Sequence, residues 1–250
     1  MENFGKNEER TEEYLKKFNK EKTLKYLIKS KNPIIFDVGA NNGSSLKIFK
    51  DYWPESEVHC FEPQQECWDD LQNCADRYNK GNVYINKFAV GNERIKSAKF
   101  YSHDLNTGIS GFNKINLNSN DSIELNKIKN NDDLINNYKD TLNHEREVDI
   151  VPVTEYLKDF SDIKIDLLKI DTQGFEPEVL DGFRNDLSKV HVIITELMFY
   201  DYYERKLSFT DIEKYMIPHN FKLYDISHIA KNPMNGRTDW IDVIYVNESL

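Results

Sequence analysis

Cysteine is scarce in this chain, with Cys60, Cys67 and Cys74 the only three in 250 residues. An odd count and no leader-like start lead us to expect reduced thiols and a cytoplasmic protein. Cys67 and Cys74 stand seven residues apart on an expected helix. That is about 10 Å of rise, too far for a disulfide, and we read them as an apolar stripe rather than metal ligands. No apolar run approaches the ~18 residues of a membrane span. Basic charge is in deficit, with 33 Lys and Arg against 43 Asp and Glu and a net charge of −10. A nucleic acid is thereby excluded as the main partner, since neutralising phosphates needs a basic face. There is also no internal repeat. What the chain does have is 39% apolar residues, including 14 Phe and 14 Tyr, ample for a globular core at this length.

The densest signal is Ile34-Ile35-Phe36-Asp37-Val38-Gly39-Ala40-Asn41-Asn42-Gly43, followed by a helical pattern from Ser44 to Lys50. A buried strand here feeds a tight turn and a helix N-terminus, where glycines let a ligand approach bare backbone N–H groups. Dinucleotide sites use Gly-x-Gly-x-x-Gly, with the second Gly clearing room for the pyrophosphate. Asn41 occupies that place and would crowd it. Asp37 would repel a phosphate but suits an ammonium, so a phosphate-free cofactor such as S-adenosylmethionine fits, held by Asp37, Gly39, Asn41 and Gly43. The plain alternative is an ordinary strand-to-helix turn.

Residues 1–32 read as one or two amphipathic helices, covering a sheet edge or capping the site. Strands follow at 34–38, 57–61 and 83–90, with a helix from 63 to about 78 and a break at Gly81. This order implies parallel pairing by right-handed crossovers. Short strands at 98–101 and 148–153 bracket an Asn- and Lys-rich insertion, about 102–147, with sparse apolar positions such as Ile115, Leu117, Leu125 and Ile128. Such a stretch is either a lid or a tolerated surface loop. Alternation resumes with a strand at 165–170, a helix with Pro177 at its start and Gly182 as its stop, and a strand at 190–195. A helix at 209–216 and an antiparallel pair at 221–226 and 240–246 complete the chain. Residues 33–250 thus read as one α/β unit.

Strand ends carry Asp37, Glu62, Asp171 and Glu196, and ligands of open α/β sheets bind at carboxyl ends of strands. Glu62 follows Gly39 by 23 residues, near the ~20-residue offset of a ribose-binding acid. A helix N-cap acid is the other reading. Ala89 and Val90 are placed to lie against a flat base, ahead of Gly91. Lys169 shares a strand face with Asp171, and a Lys in so apolar a strand needs a partner. We expect Asp171 or Glu196. Asp171 would orient or deprotonate an acceptor hydroxyl, or hold a divalent cation with Glu176 or Glu196. Glu196, His103 and His144 are further candidates for the base, and Ser110 and Gly111 for a substrate-facing loop. The run Met198-Phe199-Tyr200-Asp201-Tyr202-Tyr203 would line an acceptor pocket or bury a dimer contact, which leaves a homo-oligomer open.

Together these motifs resemble the FkbM family of methyltransferases. The matching elements are Phe36-Asp37-Val38-Gly39-Ala40-Asn41-x-Gly43, Phe61-Glu62-Pro63, Ala89-Val90-Gly91, Leu167-Leu168-Lys169-Ile170-Asp171-x-x-Gly174-x-Glu176 with Val179-Leu180-x-Gly182, and Glu196-Leu197. The resemblance covers about residues 33–200, and Asp242-Val243-Ile244-Tyr245-Val246 also fits. It implies a Rossmann-like, doubly wound, seven-stranded and mostly parallel sheet of the class I methyltransferase type. It also implies S-adenosylmethionine as cofactor and methyl transfer to oxygen, often on sugars or small metabolites. The family commonly has Asp-x-Glu-Gly where this chain has Asp171-Thr172-Gln173-Gly174. The alternatives are an NAD(P)-dependent oxidoreductase, which Asn41 and the lack of a Tyr-x-x-x-Lys pair oppose, and a non-catalytic S-adenosylmethionine-binding module. A nucleic-acid methyltransferase is opposed by the lack of Asn/Asp-Pro-Pro-Tyr after the fourth strand.

Overall fold

The computed structural model describes residues 6–78, 82–124, 132–160 and 163–250. Helices α1 (Asn7–Lys17) and α2 (Lys20–Leu27) precede β1 (Ile34–Val38), α3 (Ser44–Tyr52), β2 (Glu57–Phe61), α4 (Trp68–Ala75) and β3 (Val83–Asn86). Next come β4 (Ala89–Val90), β5 (Ile95–Ser102), α5 (Asn120–Glu124), α6 (Asp132–Lys139), β6 (His144–Val151) and α7 (Val153–Tyr156). The chain closes with β7 (Ile165–Ile170), α8 (Glu176–Phe183), β8 (Val190–Met198), α9 (Phe209–Met216), β9 (Phe221–Lys231) and β10 (Thr238–Asn247).

Seven strands form one sheet in the order β3-β2-β1-β7-β8-β10-β9. The pairs from β3 through β8 are parallel, and β10 runs antiparallel to both β8 and β9. The two-residue period of a strand explains the two cores. Phe36, Leu168 and Ile193 point to one face, against Val179, Leu180 and Phe183 of α8 and Ile212 and Met216 of α9. Ile35, Leu167 and Val192 point to the other, against Leu24 of α2, Leu46 and Phe49 of α3 and Leu71 of α4. The strand order reverses between β1 and β7, so the crevice for a ligand opens at their carboxyl ends.

Helices α1 and α2 lie toward the β9–β10 side of the sheet. Tyr14 donates its hydroxyl to Asp225 at 2.9 Å, and Lys20 reaches Asp242 at 2.9 Å. The third strand expected at 83–90 is two strands. Only Val83–Asn86 joins the main sheet, while Ala89–Val90 pairs with β6 in a second, three-stranded sheet ordered β4-β6-β5. Lys87 is exposed, and the Phe88 ring packs on Phe61 and Tyr156 as the chain leaves the sheet. Gly182 does not stop α8, which runs on to Phe183 and ends at Arg184, whose φ is 49°. A Cβ on Gly182 would stand 2.0 Å from the Gly91 carbonyl oxygen, so glycine is there for close approach. The expected break at Gly81 and the apolar positions Leu125 and Ile128 lie outside the described residues.

Candidate active site

A cavity of about 580 Å³ opens over the carboxyl ends of β1, β2 and β7. The turn after β1 forms its floor. Gly39 has φ 82°, and a Cβ there would meet the Asp171 carbonyl oxygen at 2.0 Å, so β1 and β7 approach each other only through glycine. The turn offers no bare N–H groups, contrary to the sequence-based expectation. Gly39 and Ala40 donate to the Phe61 carbonyl, Gly43 to the Ala40 carbonyl, Asn42 to the Asn41 side chain and Ser44 to the Asn42 side chain. Asn41 donates its N–H to Glu62 at 2.8 Å. A phosphate cradle needs such donors free, and here each is already bonded. Gly39 and Asn41 line the cavity, whereas Gly43 packs against Cys74 behind it.

Glu62 is 2% exposed and lines the cavity. One oxygen accepts from Asn41 N–H and the other from Gln64 N–H, both at 2.8 Å. Burial pushes its carboxyl above the ordinary range, while those two backbone donors favour the anion. One lone pair on each oxygen is left for a ligand. Gln64, which sequence reasoning passed over, donates its amide to the Thr107 carbonyl at 3.2 Å and leaves its own oxygen without a partner. Thr107 in turn donates its hydroxyl to Asn41 at 3.1 Å, tying the insertion to the turn. Ala89 and Val90 form an apolar wall, and Phe100 and Phe112 close another side.

At the end of β7, Lys169 contacts Asp37 at 3.2 Å and Asp171 at 3.5 Å, and donates to the Gly39 carbonyl at 2.9 Å. Register explains the first contact, because Asp37 and Lys169 are cross-strand partners. Burial alone would lower the Lys169 pKa, but Asp37 and Asp171 outweigh it and the net shift is upward. Asp37 is fully buried and lies outside the cavity lining. The ammonium that it meets is that of Lys169, so its place in a cofactor site is indirect. Burial raises the Asp37 pKa against the pull of Lys169. Glu196, expected as a Lys169 partner, makes no such contact. Asp171 lines the cavity with its side chain 42% exposed.

Glu176 accepts from Thr172 N–H at 2.9 Å, Thr172 hydroxyl at 3.1 Å and Gly174 N–H at 3.2 Å. One of its oxygens therefore staples the turn after β7. No group of three or more His, Cys, Asp and Glu side chains among the described residues is arranged to hold a metal. Asp171 with Glu176 or Glu196, considered above for a divalent cation, forms no such group.

A broader cleft adjoins the cavity and shares Gly108 and Gln173 with it. Glu196 opens onto this cleft together with Met198, Tyr200, Tyr202 and Trp240. Tyr200 stacks on Tyr202 at 5.6 Å and tilts toward Trp240 at 6.1 Å, giving an aromatic wall. Burial first, then the Asp171 and Glu176 charges, hold the Glu196 carboxyl well above its ordinary range. His103 also borders the cleft, 2% exposed. Its Nδ1 accepts from Asn143 N–H at 3.0 Å, so that lone pair is not free to take a proton. Burial and the neighbouring His144 push its pKa down to about 4. This geometry argues against His103 as a base. His144 pairs with Asp104 at 3.2 Å on the rim. Ser110 lines the cavity, and Gly111 packs against Gln173. Tyr203, read in the sequence only as part of an aromatic run, is buried, and its hydroxyl lies 2.7 Å from the Gln173 side-chain oxygen and 2.8 Å from the Ile109 carbonyl, with one proton to give.

A Methyltransferase FkbM domain model matches residues 37–223. Methyltransferase 1 of Beauveria bassiana (strain ARSEF 2860) is 24% identical over 155 residues, covering 61% of this chain and 59% of that protein. The 2-O-methyltransferase NoeI of Sinorhizobium fredii (strain NBRC 101917 / NGR234) is 27% identical over 192 residues, covering 72% of this chain and 70% of that protein. Among solved structures, the methyltransferase FkbM of Methylobacillus flagellatus KT superposes with a TM-score of 0.52 at 16% identity. That match covers 86% of this chain and 44% of the other, and the likeness is one of fold.

Proposed function

From the premise that the chain belongs to the FkbM family of methyltransferases and has the class I methyltransferase fold, we propose that it uses S-adenosylmethionine to methylate a hydroxyl oxygen of a sugar, glycan or small metabolite. The observation that carries the cofactor reading is the saturated turn. Every N–H from Gly39 to Ser44 has an internal acceptor, while the buried Glu62 keeps lone pairs toward the cavity. A site without anion donors but with a carboxylate suits a ribose on a cofactor that lacks phosphates, and disfavours NAD(P). Glu62 would hold the ribose, Ala89 and Val90 the base, and Gly39, Asn41 and Asp171 the remainder. Asp37 and Gly43 would act by shaping the floor. When bound, S-adenosylmethionine supplies an electrophilic methyl group on a sulfonium.

The protein's part is then alignment of the acceptor and removal of its proton. Glu196 is our candidate for the base, since it opens onto the cleft beside the cavity. The wall of Tyr200, Tyr202 and Trp240 suits the flat face of a sugar ring. The oxygen-directed reading is also supported by the NoeI protein, whose name records 2-O-methylation. We place the catalytic unit in residues 33–250, with residues 102–147 selecting the acceptor. Buried, unpaired Cys60, Cys67 and Cys74 support a reducing, cytoplasmic setting. Among the described residues no helix is long and apolar enough to cross a membrane.

Incubation with S-adenosylmethionine carrying a labelled methyl, against a panel of sugars and hydroxylated metabolites, tests the reaction. The expected result is label in an alkali-stable ether on one acceptor class, abolished by Glu196→Gln. Label in a methylamine or an ester would contradict the hydroxyl assignment.

A further inference from the structure

Gln173 stands where the FkbM pattern commonly has Glu, and it is the side chain that borders both the cofactor cavity and the acceptor cleft while touching an acid of each. Its backbone has φ 55°, in the left-handed region that a non-glycine residue occupies only when its surroundings hold it there. Asn113 donates to its carbonyl at 3.2 Å, and Gly111 packs against its Cβ. The side-chain amide is clamped at both ends. Asp171 only accepts, so the amide nitrogen faces it and the amide oxygen faces Tyr203, where it takes the single proton of the hydroxyl at 2.7 Å. That nitrogen donates to Asp171 at 2.7 Å and lies 3.5 Å from Glu196.

We propose that Gln173 is a positioning residue that divides the roles of two neighbouring acids, its amide nitrogen, aimed by Tyr203, fixing Asp171 as a bound carboxylate and leaving Glu196 to receive the acceptor's proton. The division follows from the contacts. Asp171 already faces the Lys169 ammonium and takes the short bond from Gln173, so it is held as an oriented anion. Glu196 has only the long contact and no cation of its own. The charged groups around Glu196 are Asp171 and Lys169 from β7, Glu176 from α8, and Asp242 from β10, which is itself paired with Lys20 of α2. On the cleft side it faces neutral Tyr200 and His103. Of these charges only Lys169 is positive, and burial acts in the same direction as the three acids, so the Glu196 carboxyl is held well above its ordinary range. A Glu at 173 would replace the bridging donor by a third carboxylate between the other two.

This inference rests on the reading of Glu196 as the base, and its test needs no acceptor. The full chain is labelled with carboxyl-¹³C Glu and Asp, Glu196 and Asp171 are assigned by loss of their signals in Glu196→Gln and Asp171→Asn, and both are titrated without cofactor. In Gln173→Glu the Glu196 midpoint should rise by about one pH unit or more. Gln173→Met keeps the volume but removes the donor, and should raise the Glu196 midpoint without adding a charge. A residue that only fills space would leave the Glu196 midpoint in place in Gln173→Met, which adds no charge, and an unchanged midpoint in that folded variant would overturn the proposal, as would an unchanged one in Gln173→Glu. Full methyl transfer by Glu196→Gln would instead sink the base reading, and leave the measured coupling through Gln173 standing as a separate fact.

Discussion

Gly39 and Gly182 each face a backbone oxygen where a Cβ would stand 2.0 Å away, from Asp171 in one case and Gly91 in the other. Neither neighbour is a flexible side-chain tip, so neither contact relaxes easily. Gly182→Ala should therefore destabilise the fold by about 3 kcal/mol or more, at the upper end of overpacking costs. Urea unfolding of the variant checks this, and a loss under 1 kcal/mol would mean that α8 and β4 are not so close. The role of Gly182 was illegible in the sequence, because a helix-terminal glycine and a close-approach glycine look alike until the partner backbone is placed. Lys169 was half legible. Its burial and its need for an acid could be read from the strand, but its cross-strand partner Asp37 depends on the β1–β7 register. The strand-end acids Glu62 and Asp171 line one cavity and Glu196 its neighbour; the aromatic run marked the segment of Tyr203 but not its bond to Gln173, and nothing in the sequence marked Gln64.

At the scale of elements, legibility follows the source of the stabilising contacts. Strands β1 and β7 and helix α9 match the sequence reading to the residue, because unbroken apolar runs or a clean helical period define them. The insertion does not declare itself, since long-range pairs hold it. Arg237 at the β9–β10 turn reaches Asp121 at 2.7 Å and Asp239 at 2.9 Å, and Asp121 accepts from Asp201 N–H at 2.7 Å. This clamp ties the start of α5 to the end of β8, beside the acceptor cleft. Arg237→Ala should speed amide exchange over residues 116–122 and 200–204, while affinity for S-adenosylhomocysteine stays within about twofold, as expected for sites without shared partners. Unchanged exchange would show that the aromatic packing of Tyr202 and Tyr203 on Ile115 holds the insertion alone.

Across the whole molecule, protonation links the site to stability. Burial keeps His59 and His103 below the usual histidine range, His103 at about 4. Between pH 6.5 and about 4 the unfolded chain binds protons that these native imidazoles refuse, so acidification through that window favours unfolding. In His103→Asn the amide oxygen takes the place of Nδ1 before Asn143, without a titration. The Tm advantage of the wild type over this variant should shrink from pH 7 to pH 5, and a constant difference would contradict a neutral, buried His103. The doubly wound sheet with its antiparallel β10 was legible from element order and the motif set, and it brings Glu62 and Asp171 to one crevice and Glu196 to the adjoining cleft. In the function proposed above, this crevice takes a cofactor without phosphates. Calorimetric titration of the protein with S-adenosylhomocysteine, beside NAD and NADP, tests it most directly. We predict saturable one-site binding of S-adenosylhomocysteine and no binding of either dinucleotide; saturable binding of NAD or NADP, or none of S-adenosylhomocysteine by folded protein free of co-purified ligand, would contradict it.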